Sequence, residues 1–322
     1  MLVCATFPLI WVGGLVTTYD AGMAVPDWPA TYGYNLFLYP LSTWLGGPWD
    51  LFIEHGHRLL ASAVGLLTIV FAVVVWRNES RRWVRWWSIV CLGLVISQGL
   101  LGGARVVFDE VLLARLHGCL GPAFFASCVV AASITSKWWR HAQPLDGTAI
   151  HRFRRLALVL LVLSYAQLVL GAHLRHMPAH WAPSTFLLLV SAHLLLAVGL
   201  LIYSGSELVF CLRSERLKAT GLLTRPAMLL AFMVVAQILL GVGTWSVKYA
   251  YPRWLPGGSF FDKYTVQAES MVQAVTVTGH VAMGSLILAL ATVVAVRSSR
   301  LCFTAKTIAV TAGSRQMLEC VA

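Results

Sequence analysis

Charge is what this sequence has least of: 11% of its 322 residues are Asp, Glu, Lys or Arg, against about a quarter in an ordinary soluble domain. That scarcity excludes a soluble globule. Runs without any charged side chain recur at 1–18, 59–76, 86–104, 116–136, 156–172, 181–206, 226–247 and 270–296. A helix needs roughly 20 residues to cross a hydrocarbon core about 30 Å thick. The expectation is therefore an all-α membrane protein with eight transmembrane helices. The first run has no basic leader and no small-residue cleavage pattern after Thr18, so it reads as a span rather than a signal peptide.

Cysteine is also sparse where it would staple a fold. None of the seven cysteines (Cys4, Cys91, Cys119, Cys128, Cys211, Cys302 and Cys320) falls in a segment that would face an oxidising exterior. No CxxC or CxxCH occurs, so thiol-ligated zinc and covalent c-type haem lack their signatures.

The basic residues that are present lie on one side. Segments 77–85, 136–155, 207–225 and the tail after 296 carry 17 Lys and Arg, whereas 19–53, 105–115, 173–180 and 248–269 carry six. The positive-inside rule then puts both termini in the cytoplasm. The net charge of +11 follows from topology and calls for no nucleic acid.

A motif repeats on the odd helices: Gln98-Gly-Leu-Leu-Gly102, Gln167-Leu-Val-Leu-Gly171 and Gln237-Ile-Leu-Leu-Gly241, while the first helix ends in Gly13-Gly14. All odd helices run outward, so the repeat implies a parallel duplication of two pseudo-symmetric four-helix bundles. The divisions are 1–140, 150–300 and a cytoplasmic tail over 301–322. The glycines suit close helix packing. Glutamine inside a span needs a bonding partner and often faces a cavity, so Gln98, Gln167 and Gln237 stand as candidates for a cofactor edge.

Histidine carries the chemistry. Each even helix has one in its outer half: His57, His117, His193 and His280. Neutral imidazoles on facing helices can ligate haem iron from both sides, and bundle cores hold such cofactors. Zinc would want three or four ligands at one point. Two pairs, His57/His117 and His193/His280, favour haem. Glu54, His57 and Arg58 share a helix face, whereas His55 points elsewhere. A carboxylate beside a cofactor is a candidate acid, base or cation stabiliser; a plain ion pair with Arg58 is the simpler reading. The aromatic residues of 19–53, among them Trp28, Trp44 and Trp49, suit interfacial anchoring or a lid. His173, His176 and His180 would share a face only if their helix continued past Pro178.

The stretch from Gly13 through Thr17-Thr18-Tyr19-Asp20 to Trp28-Pro29, Glu54-x-x-His57-Arg58, Gln98-Gly-Leu-Leu-Gly-Gly-Ala-Arg105, His117 in Leu-His-Gly, and Gln167 through His176 together resemble the heme A synthase family. The resemblance implies oxidation of the C8 methyl of heme O to the formyl of heme A, by two hydroxylations and loss of water. It further implies that Glu54, His57 and His117 form the substrate site, that His193 and His280 hold a b-type haem, and that Arg58 and Arg105 belong to the cofactor-binding set. Some members carry a Cys pair in the first outer loop, which this chain lacks. The implied setting is the inner (cytoplasmic) membrane, with lipid bilayer around the chain. The implied partners are heme O, the heme O synthase (protoheme farnesyltransferase) that makes it, an electron-transfer partner and further copies of the same chain. The competing readings are a di-haem cytochrome b that only transfers electrons, and a haem transporter.

Overall fold

A computed structural model describes residues 1–145, 147–178, 180–250 and 266–319, the part after 302 as backbone only. Most of the loop expected over 248–269 and the end of the tail lie outside the described residues. The described chain is all-helical: α1 Leu2–Thr18, α2 Leu41–Leu45, α3 Trp49–Asn78, α4 Arg82–Phe108, α5 Val111–Thr135, α6 Lys137–His141, α7 Thr148–Arg175, α8 Pro183–Arg213, α9 Glu215–Thr220, α10 Thr224–Tyr249 and α11 Met271–Glu319.

Seven of these, α3, α4, α5, α7, α8, α10 and α11, are long and apolar enough to cross a membrane. This is a multi-pass membrane protein. Its apolar residues behave accordingly, with Leu66, Val162, Leu195 and Phe232 each more than 60% exposed on outward faces, an arrangement that only a lipid solvent stabilises. The eighth expected span, α1, is apolar but 17 residues long. At 1.5 Å per residue that is about 25 Å, short of the other seven.

Each long helix packs on its sequence neighbours. Helices α1, α3, α4 and α5 close on one another in order, α5 returning to α1, and α7, α8, α10 and α11 do the same, α11 returning to α7. The two rings meet through α1, α5, α7 and α11. Where side chains are small the helices approach closely: Gly14 of α1 faces Thr278 of α11, and Gly284 of α11 faces Leu168 and Gln237.

The polar connections are fixed by charged capping residues. Between α3 and α4, Glu79 accepts from Arg81 Nε at 2.9 Å and Nη2 at 2.6 Å, and Arg81 Nη2 also donates to the Ile134 carbonyl at 3.0 Å. Arg140 stands 3.8 Å away. The Arg81 hydrogen bond is the main reason that the Glu79 carboxyl is held down at about 2.

Candidate active site

The four histidines expected from the sequence come together in two pairs. Ring centroids of His57 and His117 are 6.5 Å apart, and those of His193 and His280 are 6.4 Å apart. Two imidazoles bound through nitrogen to one metal, each at about 2 Å, put their centroids about 6 Å apart. His57, His193 and His280 each keep a buried Nδ1 with no hydrogen-bond partner among the described residues. In His117 the Nδ1 lies 3.2 Å from the Gln98 carbonyl; an Nδ1–H there donates to it and leaves the other nitrogen unprotonated. Spacing and unsatisfied nitrogens both fit a haem iron held between each pair. Among the described residues no group of three or more His, Cys, Asp or Glu could hold a metal ion.

The repeated motif now has a physical meaning. A glycine of the preceding long helix lies under each imidazole: a Cβ would stand 2.9 Å from His57 Cε1 at Gly13, 3.1 Å from His117 Cε1 at Gly102, 3.5 Å from His193 Cε1 at Gly171 and 3.2 Å from His280 Cε1 at Gly241. One turn inward from the glycine, the glutamine amide crosses to the backbone of the same histidine. Gln98 Nε2 donates to the His117 carbonyl at 3.0 Å, Gln167 Nε2 to that of His193 at 3.0 Å and Gln237 Nε2 to that of His280 at 2.9 Å. The amide oxygens stay buried and unpartnered among the described residues. Each glutamine is thus a strut between helices at the depth of the histidine. The i,i+4 spacing of Gln and Gly was visible in the sequence; the partner of the amide was not, because it lies on another helix.

Glu54 is 4% exposed and sits one turn outward from His57 on α3. Arg58 Nε donates to Glu54 Oε1 at 2.9 Å. The remaining guanidinium nitrogens donate to loop carbonyls: Nη1 to Asp27 at 2.7 Å and Ala30 at 3.0 Å, Nη2 to Val25 at 2.8 Å. Arg58 therefore joins the carboxylate to the loop between α1 and α3. His55 takes the opposite role from His57: its Nδ1 is 3.1 Å from Thr31 Oγ1, and its ring lies against Tyr39 and Trp44.

That loop covers the end of the first ring of helices nearer Glu54. Trp28 lies flat on α4, where a Cβ at Gly103 would be 2.3 Å from its ring, and the Arg105 guanidinium is equally close to Gly22. Asp27 closes a turn, accepting from the backbone N–H of Tyr32 and of Gly33 at 2.8 Å each. Burial alone would raise the Asp27 carboxyl; these N–H groups and the nearby Arg58 hold it below the usual carboxylate range.

Helix α7 ends at Arg175, so His173, His176 and His180 do not share a helix face. His173 Nδ1 bonds back to the Val169 carbonyl at 2.8 Å, and the His176 carbonyl accepts from Arg115 Nε at 3.0 Å.

Residues 49–192 match the model of a family described as cytochrome oxidase assembly protein. A relative named heme A synthase from Shouchella clausii is 26% identical over 246 residues, covering 71% of this chain and 79% of the relative. Relatives of the same name from Brucella ovis and Brucella suis are each 33% identical over 146 residues, covering 43% of this chain and 38% of their own length. The family match contains Glu54, His57, Arg58, Gln98, Arg105, His117 and Gln167, the residues that build the first pair and begin the second. The chain is thus similar, over residues 49–192, to a family of cytochrome oxidase assembly proteins and, over 71% of its length, to a protein named heme A synthase.

Proposed function

We propose that this protein is a heme A synthase, oxidising the C8 methyl of heme O to the formyl of heme A. The observation that carries the reading is the buried Glu54–Arg58 pair one turn from His57, with His117 across a gap that suits a metal between two imidazoles. A heme O substrate supplies, when bound, an iron and a conjugated macrocycle from which electrons can be removed. The chain's own residues do the rest. His57 and His117 would hold the iron. Glu54, in a poorly solvated pocket, stabilises positive charge that develops near the reacting methyl or positions water. Arg58 and the loop carbonyls orient that carboxylate and close the pocket from the outside, and Arg105 adds a cation at the same rim.

His193 and His280 would hold a b-type haem, a group that would supply one-electron transfer beside the first site. In this reading α1 is an eighth span, and the two rings of helices are duplicated halves of one membrane protein, 1–140 and 150–300. Both termini lie on the cytoplasmic side of the inner membrane, because the basic residues gather there. Heme O arrives from the heme O synthase in the same bilayer, an electron-transfer partner completes the cycle, and further copies of the chain could associate through exposed apolar faces.

Extracting haems from cells that make heme O, with and without this gene, tests the reading. Heme A should appear only with the gene. Heme O left unconverted, with two ordinary b haems on the purified protein, would favour an electron-transferring cytochrome b instead.

A further inference from the structure

Three of the four histidines are reached by a glutamine strut from the helix that seats their ring. The fourth is not. Four residues before Gly13, where the other helices have glutamine, α1 has Leu9, packed against the cluster of Val64, Phe124 and Cys128. Yet Gly13 approaches His57 more closely than any of the other three glycines approaches its histidine.

What fixes α1 at that depth comes from the other ring of helices. Arg175, the last residue of α7, donates from Nη2 to the Gly14 carbonyl and to Thr18 Oγ1, each at 2.7 Å. The Thr18 hydroxyl lies 3.1 Å from that of Thr278, two residues before His280 on α11. A Cβ on Gly14 would stand 2.8 Å from Thr278 Cγ2. Adjacent glycines thus face two sites, Gly13 seating the His57 ring and Gly14 seating α11 beside His280.

Arg175 uses only part of its guanidinium for this. Its Nη1 is buried with no hydrogen-bond partner among the described residues, and none of the ion pairs there involves it. It lies within electrostatic range of His280 and of Lys248, another cation. A buried, half-satisfied guanidinium next to a second cation calls for an anionic acceptor, and a carboxylate matches it in charge and in planar geometry.

We infer that Arg175 is a positioning residue: it supplies to the first hairpin the fastening that glutamine supplies to the other three, and its free edge takes a carboxylate of the molecule bound between His193 and His280. Filling the second site then holds Arg175 in place against α1, and with it the seat of His57. The inference rests on the haem reading of the second pair. The carboxylate has two sources, a haem propionate or a small free carboxylate.

The test titrates full-length protein, purified without haem, with ferric haem and with haem dimethyl ester, following the Soret band. In a His117→Ala background, which isolates the second pair, the free acid should bind at least about tenfold more tightly than the ester, the scale of one charge-assisted hydrogen bond. Arg175→Gln should abolish that preference, and Arg175→Lys should keep part of it. Ester binding that acetate restores to the free-acid level assigns the edge to a free carboxylate. Wild-type protein with its second site filled should bind haem at His57/His117 about tenfold more tightly than His193→Ala does, and Arg175→Gln or Thr18→Val should erase the gain. Equal binding of acid and ester with no acetate effect, or a first site indifferent to Arg175→Gln and Thr18→Val, overturns the inference. Failure of the unmutated protein to bind haem at either pair overturns the haem reading beneath it.

Discussion

Gly13 and His57 make the closest of the four glycine–histidine approaches, with only 2.9 Å between an added Cβ and the imidazole Cε1. The glycine belongs to the shortest of the apolar helices and the histidine to the helix that carries Glu54. A methyl group at Gly13 has to displace the imidazole or the helix. Gly13→Ala should therefore destabilise the protein by about 1–3 kcal/mol, the usual range for overpacking, and change the spectrum of haem bound at the first pair. Gly171→Ala, where the distance is an ordinary 3.5 Å, should be nearly silent. Thermal melts and haem spectra of the two variants side by side make the comparison.

Replacing Glu54 separates catalysis from binding. Glu54→Gln keeps size and hydrogen-bonding capacity while removing the charge. Haem content should survive, and heme A production should fall on the order of a hundredfold, about 3 kcal/mol of lost charge stabilisation. Heme O or a hydroxylated intermediate should accumulate in extracted haems. Normal heme A output would leave Glu54 as no more than the ion-pair partner of Arg58.

The glutamine struts should behave as a set. Gln98→Leu, Gln167→Leu and Gln237→Leu each remove one interhelical hydrogen bond, worth about 0.6–2 kcal/mol inside a membrane. Loss of Gln167 or Gln237 should broaden or shift the low-spin haem spectrum of the second pair, and loss of Gln98 should leave that spectrum alone. His193→Met and His280→Met are the reference variants, since each should disturb the same spectrum directly. A second-pair spectrum that responds to Gln98→Leu but not to Gln237→Leu would contradict the pairing.

Glu79 gives a pH dependence outside the membrane-spanning segments. Its folded carboxyl is lowered from the ordinary glutamate value of 4.5 to about 2, chiefly by the hydrogen bond from Arg81. A lowered folded value means stabilisation that is fully present above the unfolded value and lost as the pH falls through the folded one. Stability at the α3–α4 turn should decline between about pH 4.5 and about pH 2, and Glu79→Gln should flatten that part of the curve. Melting temperature against pH for both proteins provides the measurement; because the group is near the surface, the effect should be small and weaker in high salt.

Topology is tested with reporter fusions. Fusions at Glu79 and Lys218 should report a cytoplasmic location, and one at Trp44 should report the opposite side. The opposite result at all three positions would turn the histidine pairs toward the inner leaflet.

Much of this protein was legible in its sequence. Charge-free runs marked the seven long apolar helices, because the bilayer length scale is set by solvent and not by packing. One histidine per inward-running helix and the Gln–Gly spacing were equally plain, since both are properties of single helices. The sequence could also place Glu54, His57 and Arg58 on one face, because three- and four-residue spacings on a helix fix that angle. What tertiary structure decided was every relation between helices. Interhelical rotation and register determine that the amide nitrogens of Gln98, Gln167 and Gln237 donate to histidine carbonyls, that each glycine seats an imidazole, and that His55 turns to Thr31 in the loop while His57 turns to His117. They also determine that Arg175 crosses to Gly14 and Thr18, residues more than 150 positions away. Periodicity is local to one helix, whereas a hydrogen bond between helices depends on how two periodic surfaces meet.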